Sequence, residues 1–387
     1  MSFLSENNIR KPGKVGMDWL LVLFIIPIAA AGLITMKSFG VSDQSAQIAH
    51  FFTRQLLWLG VSFGIFFGLS FVDFRFLKRT DILVGLFAFV AFLLIVLFFA
   101  GSRVNGARSW FSLGGFSFQP SDLMNLVLIL VLSKYFSRRH VEIRNIKHIF
   151  ISGVYALIPF LLVFLQPDFG AAMLIFLTWL GMTLVSGISK RHLAAVFLVG
   201  VVAFSGLWLF VFHPYQKERV LNFLHPLVDV RGSGYNAYQS TVAVGSGQFM
   251  GKGLGYGTQS RLQFLPEYET DFIFAAFSEE WGFIGVALLL LLFALVIWRI
   301  LANAMVGASN FEMLFGMGLA ILMMSHILIN IGMNIGLLPV AGITLPFMSY
   351  GGSHLMMEFA SLGILMGMRR YSRTTHPDNM KNEFLGI

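Results

Sequence analysis

The chain has 387 residues, 57% of them hydrophobic and only 12% charged, where a soluble domain carries about 25% charged residues. That composition excludes a water-exposed globular surface, and the 42 Phe residues suit helices whose outer faces meet lipid. The absence of Cys excludes disulfides, thiolate metal sites and cysteine nucleophiles together.

In chain order, apolar stretches predict ten membrane-spanning helices at 17–36, 56–72, 82–101, 120–136, 149–165, 169–186, 193–212, 272–301, 313–337 and 349–368. The fold class is therefore an all-α polytopic membrane protein. Residues 1–373 form a single transmembrane domain and 374–387 a short cytoplasmic tail. The first span has few basic residues before it and no small-residue cleavage site after it, so it reads as a retained helix. Most of the 27 Lys and Arg residues fall in the N-terminus, the even-numbered loops and the tail, whereas the short odd-numbered loops hold only Lys37, Arg54, Arg103 and Arg108. The positive-inside rule then places both termini in the cytoplasm and the long loop at 213–271 outside. The net charge of +8 reflects this topology. The short basic turn with Arg138, Arg139, Arg144 and Lys147 is what a cytoplasmic loop should contain, so no nucleic-acid partner is expected.

The outer loop carries the amphipathic stretch YQKERVLNFLHPL, then YNAYQSTVAVGSG, then a glycine-dense run, and it closes on TDFIF entering the eighth span. Helix-like spacing of its apolar residues suggests short helices on the membrane surface. Glycines 245, 247, 251, 253, 255 and 257 are readable as turns or as a phosphate cradle. They match neither a Walker loop nor a Rossmann fingerprint, because no Ser or Thr follows Lys252 and no strand–helix unit surrounds it. With no ATP pool outside the membrane, chemistry there needs a substrate activated beforehand, such as one carried on a lipid. The histidines show no metal-ligand spacing, so no metal is assigned; no cofactor is expected, and a divalent cation is left open.

Four blocks then stand out: GARSWFSLGGFSFQPSD (106–122), QPDFGAA (166–172), GKGLGYGTQSRLQFLPEYETDFIFAAFSEEWGF (251–283) and NIGMNIGLLPVAGITLPFMSYGGS (330–353). In sequence and order they resemble the SEDS proteins (shape, elongation, division and sporulation). The GTQSRLQFLPE and NIGMNIGLLPVAGI runs look more like RodA, the elongation member, than FtsW, the division member. The resemblance implies a peptidoglycan glycosyltransferase of the bacterial cytoplasmic membrane that polymerises lipid II at the outer face. It implies as partners a class B penicillin-binding protein that crosslinks the product, together with other elongation-complex membrane proteins.

Joining a sugar hydroxyl to an anomeric carbon requires a base, cations near the departing pyrophosphate and room for two lipid tails. Asp271 in TDFIF matches the family's catalytic aspartate; read without the family it is an N-cap of the eighth helix. Arg108 and Arg261, with Lys252 as a weaker candidate, suit the pyrophosphate, against the alternative of solvated loop charges. Trp110 resembles a family aromatic and reads equally as a membrane-interface residue. Gln119, Gln166 and Gln259 suit sugar hydroxyls or backbone caps, and Asp168 suits a cavity wall or the cap of the sixth helix. Glu267, from the same outer run as Asp271, joins the substrate-binding candidates. Ser349, Gly351 and Gly352 resemble the family loop before the last helix, where glycine also permits close helix approach. Glu279 and Glu280 are expected to face protein or water.

The sequence departs from the family on the fourth helix, where a Glu and Lys three residues apart are replaced by Asp122, kept among the substrate-binding candidates, and Asn125. Glu358 stands where the tenth helix is usually uncharged, and His354 replaces a Ser. These changes imply a rewired polar network. Two further readings stay open at this point. A lipid-precursor transporter would place essential carboxylates near the bilayer midplane, and a scaffold would tolerate changes in the loop.

Overall fold

The computed structural model describes residues 16–38, 45–104, 107–113, 116–138, 146–210, 212, 214–224, 234–307 and 309–371. The expected tail at 374–387 lies outside them, as does 225–233 of the long loop.

The described chain is mainly helical. Helices α1 (Trp19–Ser38), α2 (Ser45–Ser70) and α3 (Thr80–Ala100) precede α4 (Pro120–Ser137), α5 (Ile146–Phe164), α6 (Phe169–Val185) and α7 (Lys190–Phe210). The long loop contributes α8 (Pro214–Leu224), α9 (Tyr235–Ser246) and the single turn α10 (Thr258–Arg261). Helices α11 (Ile273–Met305), α12 (Asn310–Asn334) and α13 (Gly352–Tyr371) complete the fold. Seven of these are long and apolar enough to cross a membrane: α1, the 51–70 part of α2, α3, α5, α7, α11 and α12. The other three expected spans are helical at their predicted places as α4, α6 and α13. Helix α6 is shorter, at 17 residues. Asp122, Asn125 and Lys134 make α4 less apolar, and His354, Glu358, Arg369 and Arg370 do the same for α13.

Packing explains that distribution. Helices α4, α12 and α13 occupy the middle, and nearly every residue of α13 from Ser353 to Met368 is buried. A central helix meets protein on all sides and can carry polar groups that find partners there. Helix α7 buries none of its residues, so its apolar surface has lipid as its solvent. Helix α13 runs against α2, α11 against α1 and α12, and α12 also against α4 and α6. Among the titratable pins, Asp18 receives Arg299 Nη2 at 2.7 Å and Asn303 Nδ2 at 2.7 Å, and Lys78 pairs with Glu312 at 3.0 Å.

Two features were not predicted from the sequence. Between α3 and α4 the chain forms a small antiparallel sheet, β1 (Ser102–Val104), β2 (Ala107–Leu113) and β3 (Phe116–Phe118), with Ser102 opposite Trp110 and Phe111 opposite Phe118. And α9 does not simply lie on the membrane surface: Ser240 and Ala243 are buried and the helix packs against α11 and α12.

Candidate functional site

The N-termini of α4, α6, α11 and α13 meet at one end of the helical core. Gln119, at the cap position of α4, sends its Nε2 to Asp168 Oδ2 at the start of α6 (3.4 Å), and its main-chain N–H donates to Ser353 Oγ at the start of α13 (3.1 Å). Ser349 donates its hydroxyl to the Thr270 carbonyl just before α11 (2.7 Å). Each terminus carries the positive end of a helix dipole, so their convergence favours an anion such as a pyrophosphate.

Asp271 sits at this junction, one residue before the cap of α11, and its main chain is clamped. Asn330 Nδ2 and Asn334 Nδ2 both donate to the Asp271 carbonyl at 3.0 Å. The cap position itself belongs to Phe272, which makes no side-chain cap bond, and the Ala275 N–H is taken by Asn334 Oδ1 at 3.1 Å. Capping of this helix is thus supplied from α12. Gly342 has φ +68, and a Cβ there would stand 3.6 Å from Asp271 Oδ2, so the main chain passes the carboxylate closely. Glu267 has φ +50, is exposed, and shapes the turn into Asp271 by accepting the Thr270 and Phe272 N–H groups at 3.2 and 3.1 Å. Burial pushes the neighbouring Glu269 carboxyl up from its ordinary value, and burial together with Glu269 pushes Tyr268 up to about 12.

The 338–341 segment, next to Gly342 in the chain, lines an apolar groove together with Phe169, Met173, Phe212 and Val220. Its apolar lining suits an aliphatic chain.

The remaining candidates divide by what they touch. Arg108 donates from Nη1 to the Phe98 carbonyl at 2.6 Å, and its main-chain N–H donates to the Gln166 carbonyl at 3.2 Å. Gln166 is 2% exposed and gives Nε2 to the Leu94 carbonyl at 2.7 Å, which ties α3 to the end of α5. Trp110 is half-buried on β2, with its carbonyl accepting Ser102 Oγ at 2.9 Å. Asp168 caps α6, its Oδ1 accepting the Ala171 N–H at 3.0 Å. Gly351 donates its N–H to Gln55 Oε1 at 3.3 Å. At Gly352 a Cβ would press on the Trp58 ring at 2.7 Å, so glycine there permits α13 to approach α2.

Lys252, Gln259 and the glycine run belong to a second construction. Helix α11 breaks at Gly282 (φ +64, ψ −166). The N–H groups of Phe283 and Ile284 donate to Gln248 and Phe249 carbonyls at 2.9 and 3.2 Å, while Lys252 and Gly253 N–H groups donate to Glu279 and Glu280 carbonyls at 3.0 Å. A Cβ at Gly247 or Gly251 would collide with the carbonyls of Ser278 or Glu280. The buried Glu279 carboxylate collects Lys252 Nζ (2.6 Å), Thr258 Oγ1 (3.0 Å) and the Gln259 N–H (3.2 Å), and Glu280 Oε1 takes Ser38 Oγ (2.6 Å) and the Gly255 N–H (2.9 Å). Of the glycine N–H groups that the sequence offered to a phosphate, those of Gly253 and Gly255 donate to the broken helix at the Glu280 carbonyl and carboxylate, and those of Gly247 and Gly251 donate to the Val244 and Gly247 carbonyls. Arg261, at the end of the same turn, is exposed, and Gln259 Oε1 is buried without a hydrogen-bond partner among the described residues.

Three polar residues escaped the sequence reading. Asn330 and Asn334 are four apart in an apolar helix and therefore share a face, and Gln55 is a polar side chain within α2. Gln55 is 3% exposed and donates Nε2 to the Ser349 carbonyl at 2.9 Å. Their position inside apolar helices was the available signal. Among the described residues no three His, Asp or Glu side chains are grouped to hold a metal ion.

The family model of the FtsW, RodA and SpoVE proteins, described as cell cycle protein, matches residues 18–374. This chain belongs to that family. It is 36% identical to stage V sporulation protein E of Bacillus subtilis (strain 168) over 364 residues, covering 93% of this chain and 99% of that protein. It is 40% identical to peptidoglycan glycosyltransferase MrdB of Escherichia coli (strain K12) over 274 residues, 70% of this chain and 74% of the relative. In three dimensions it matches a chain from a structure titled as structural coordination of polymerization and crosslinking by a peptidoglycan synthase complex. That match has a TM-score of 0.78 at 30% identity, over 94% of this chain and 100% of the other. The sequence relatives thus include proteins named for sporulation and for glycosyltransferase activity.

Proposed function

We propose that this FtsW/RodA/SpoVE protein is a peptidoglycan glycosyltransferase that polymerises lipid II at the outer face of the cytoplasmic membrane, with Asp271 as general base. The observation that carries the reading is the clamped Asp271 main chain at a junction of four helix N-termini. An acid–base carboxylate needs such preorganisation, and the departing pyrophosphate benefits from the dipoles.

In the proposed step the Asp271 carboxylate accepts the proton of the acceptor sugar hydroxyl as its oxygen bonds to the donor's anomeric carbon. The bond from that carbon to the lipid pyrophosphate breaks, and the leaving group departs with the electron pair. Attack from the opposite face inverts the anomeric centre, as in an inverting glycosidase. Arg108 and the exposed Arg261 are the cations assigned to the pyrophosphate, and Trp110, Gln119, Asp168, Glu267 and Ser349 are assigned to substrate binding. The apolar groove beside Gly342 is assigned to a polyprenyl tail.

The GTQSRLQFLPE and NIGMNIGLLPVAGI runs look more like RodA than FtsW, which supports a role in cell elongation and rod-shape maintenance. Its proposed partner is a class B penicillin-binding protein, consistent with the crosslinking function named for the matched synthase complex. Both termini are assigned to the cytoplasm by charge distribution. Purified protein, with and without the transpeptidase, is incubated with labelled lipid II in detergent. Glycan strands and released polyprenyl pyrophosphate are expected; intact lipid II, with transbilayer movement in liposomes, would replace the polymerase with a transporter.

A further inference from the structure

The polar residues that depart from the family pattern meet inside the helical core. His354 on α13 points Nδ1 at Asp122 Oδ2 of α4 (3.5 Å) and Nε2 at Glu358 Oε1 one turn along its own helix (2.9 Å). From α12, His326 lies against it with ring centroids 4.7 Å apart, its Nδ1 beside the Thr344 carbonyl at 3.3 Å. Asp122, Glu358 and His326 are thus the titratable groups facing His354, around a small cavity also lined by Asn125 and Ser361. His354 thus lies between the two carboxylates, where a protonated imidazole would stand in for the cation that position 125 does not supply.

This cluster is tied to the site. Glu358 is 8% exposed, and its second oxygen accepts the Phe347 N–H at 3.0 Å. Phe347 is itself buried and has φ +60, a left-handed conformation that a bulky residue keeps only when its surroundings hold it. Two residues on, Ser349 Oγ accepts the Leu345 N–H (2.8 Å) and donates to the Thr270 carbonyl (2.7 Å), and the Tyr350 N–H donates to the Glu269 carbonyl (2.8 Å). From Asp122 the path to Asp271 runs through the His354 contacts, the Glu358–Phe347 hydrogen bond, the 347–349 main chain and the Ser349–Thr270 hydrogen bond.

We propose that Glu358, held by His354 against Asp122, is a positioning residue that fixes the 345–351 turn and, through Ser349 and Tyr350, the segment bearing Asp271. The proposal rests on Asp271 acting as the base. It predicts that loosening the turn lowers kcat and leaves lipid II binding nearly unchanged, because the groove and the cations do not move.

The test uses full-length protein in detergent with labelled lipid II and compares Glu358→Ala, Glu358→Gln, Ser349→Ala and the Glu358→Ala/Ser349→Ala double variant, each corrected for folded fraction. Amide hydrogen exchange across 345–351 and 269–272 is read alongside kinetics. Glu358→Ala is expected to speed exchange in both segments and lower kcat about 10- to 100-fold with little change in KM. Glu358→Gln keeps an acceptor for the Phe347 N–H and should recover part of that loss, and the double variant should lose less than the product of the single effects. Unchanged exchange at 269–272, or fully multiplicative losses in kcat, overturns the proposal. If Glu358→Ala does not fold, the same readings are taken on Glu358→Gln and Ser349→Ala. Faster exchange with unchanged kcat also overturns it, and retained polymerisation by Asp271→Asn would show that the base assignment had failed instead.

Discussion

Lys252 Nζ lies 2.6 Å from Glu279 Oε1, and Glu279 is completely buried. A cation in the glycine-dense run is thereby committed to a carboxylate inside a broken helix. Removing one partner of a buried pair costs about 3–5 kcal/mol, because the other is left buried and charged. Lys252→Ala should therefore lower stability by about 3 kcal/mol, toward the lower end since Lys252 is partly exposed. The double variant Lys252→Met/Glu279→Leu should recover most of the loss. Thermal unfolding in detergent checks both; a Lys252→Ala protein of undiminished stability that binds lipid II more weakly would move Lys252 to the substrate.

Asp271→Asn keeps the size of the side chain and removes its basicity. Capping of α11 comes from Asn334, so the substitution leaves the helix start intact. Melting temperature and partner binding should stay within error while polymerisation falls about 10²–10⁴-fold. Folded Asp271→Asn with near-normal polymerisation would remove Asp271 from the mechanism.

Orientation is checked with a single cysteine, since the chain has none. Ser246 is unsuitable because its hydroxyl bonds the Ala243 carbonyl and Glu279. Met250 is 76% exposed, and Met250→Cys should react with a membrane-impermeant thiol reagent on intact cells. Labelling only after the cells are opened would reverse the topology.

Glu269 gives a pH dependence of known sign. Burial raises its folded-state pKa above the ordinary value of 4.5, so between those values the folded state binds more protons than the unfolded one. The contribution is present below about pH 4.5 and is lost as pH rises through the folded value. Glu269→Gln should consequently gain melting temperature relative to the parent as pH is raised from 4 toward neutrality, roughly the span in which a perturbed carboxyl titrates. An offset that stays constant or shrinks over that range would contradict the burial of this carboxyl.

Composition and apolar periodicity by themselves determined that the chain lives in a membrane and where its helices run, because each span is a local property of about 20 consecutive residues meeting lipid. The four sequence blocks carried the family, and Asp271 with it. Tertiary structure decided which polar groups are partners. Gln166, a candidate for a sugar, ties α3 to α5; Gly352 makes room for Trp58; and the glycine run closes on the break at Gly282. Asn334 caps a helix that begins far away in the chain. Such pairings join residues tens to hundreds of positions apart, and a hydrogen bond depends on where an acceptor comes to lie in space, which local periodicity does not encode. The trio of Asp122, His354 and Glu358 mixes the two: His354 and Glu358 are one turn apart on α13, a spacing the sequence carries, and only the packing of α4 against α13 brings Asp122 to the same imidazole.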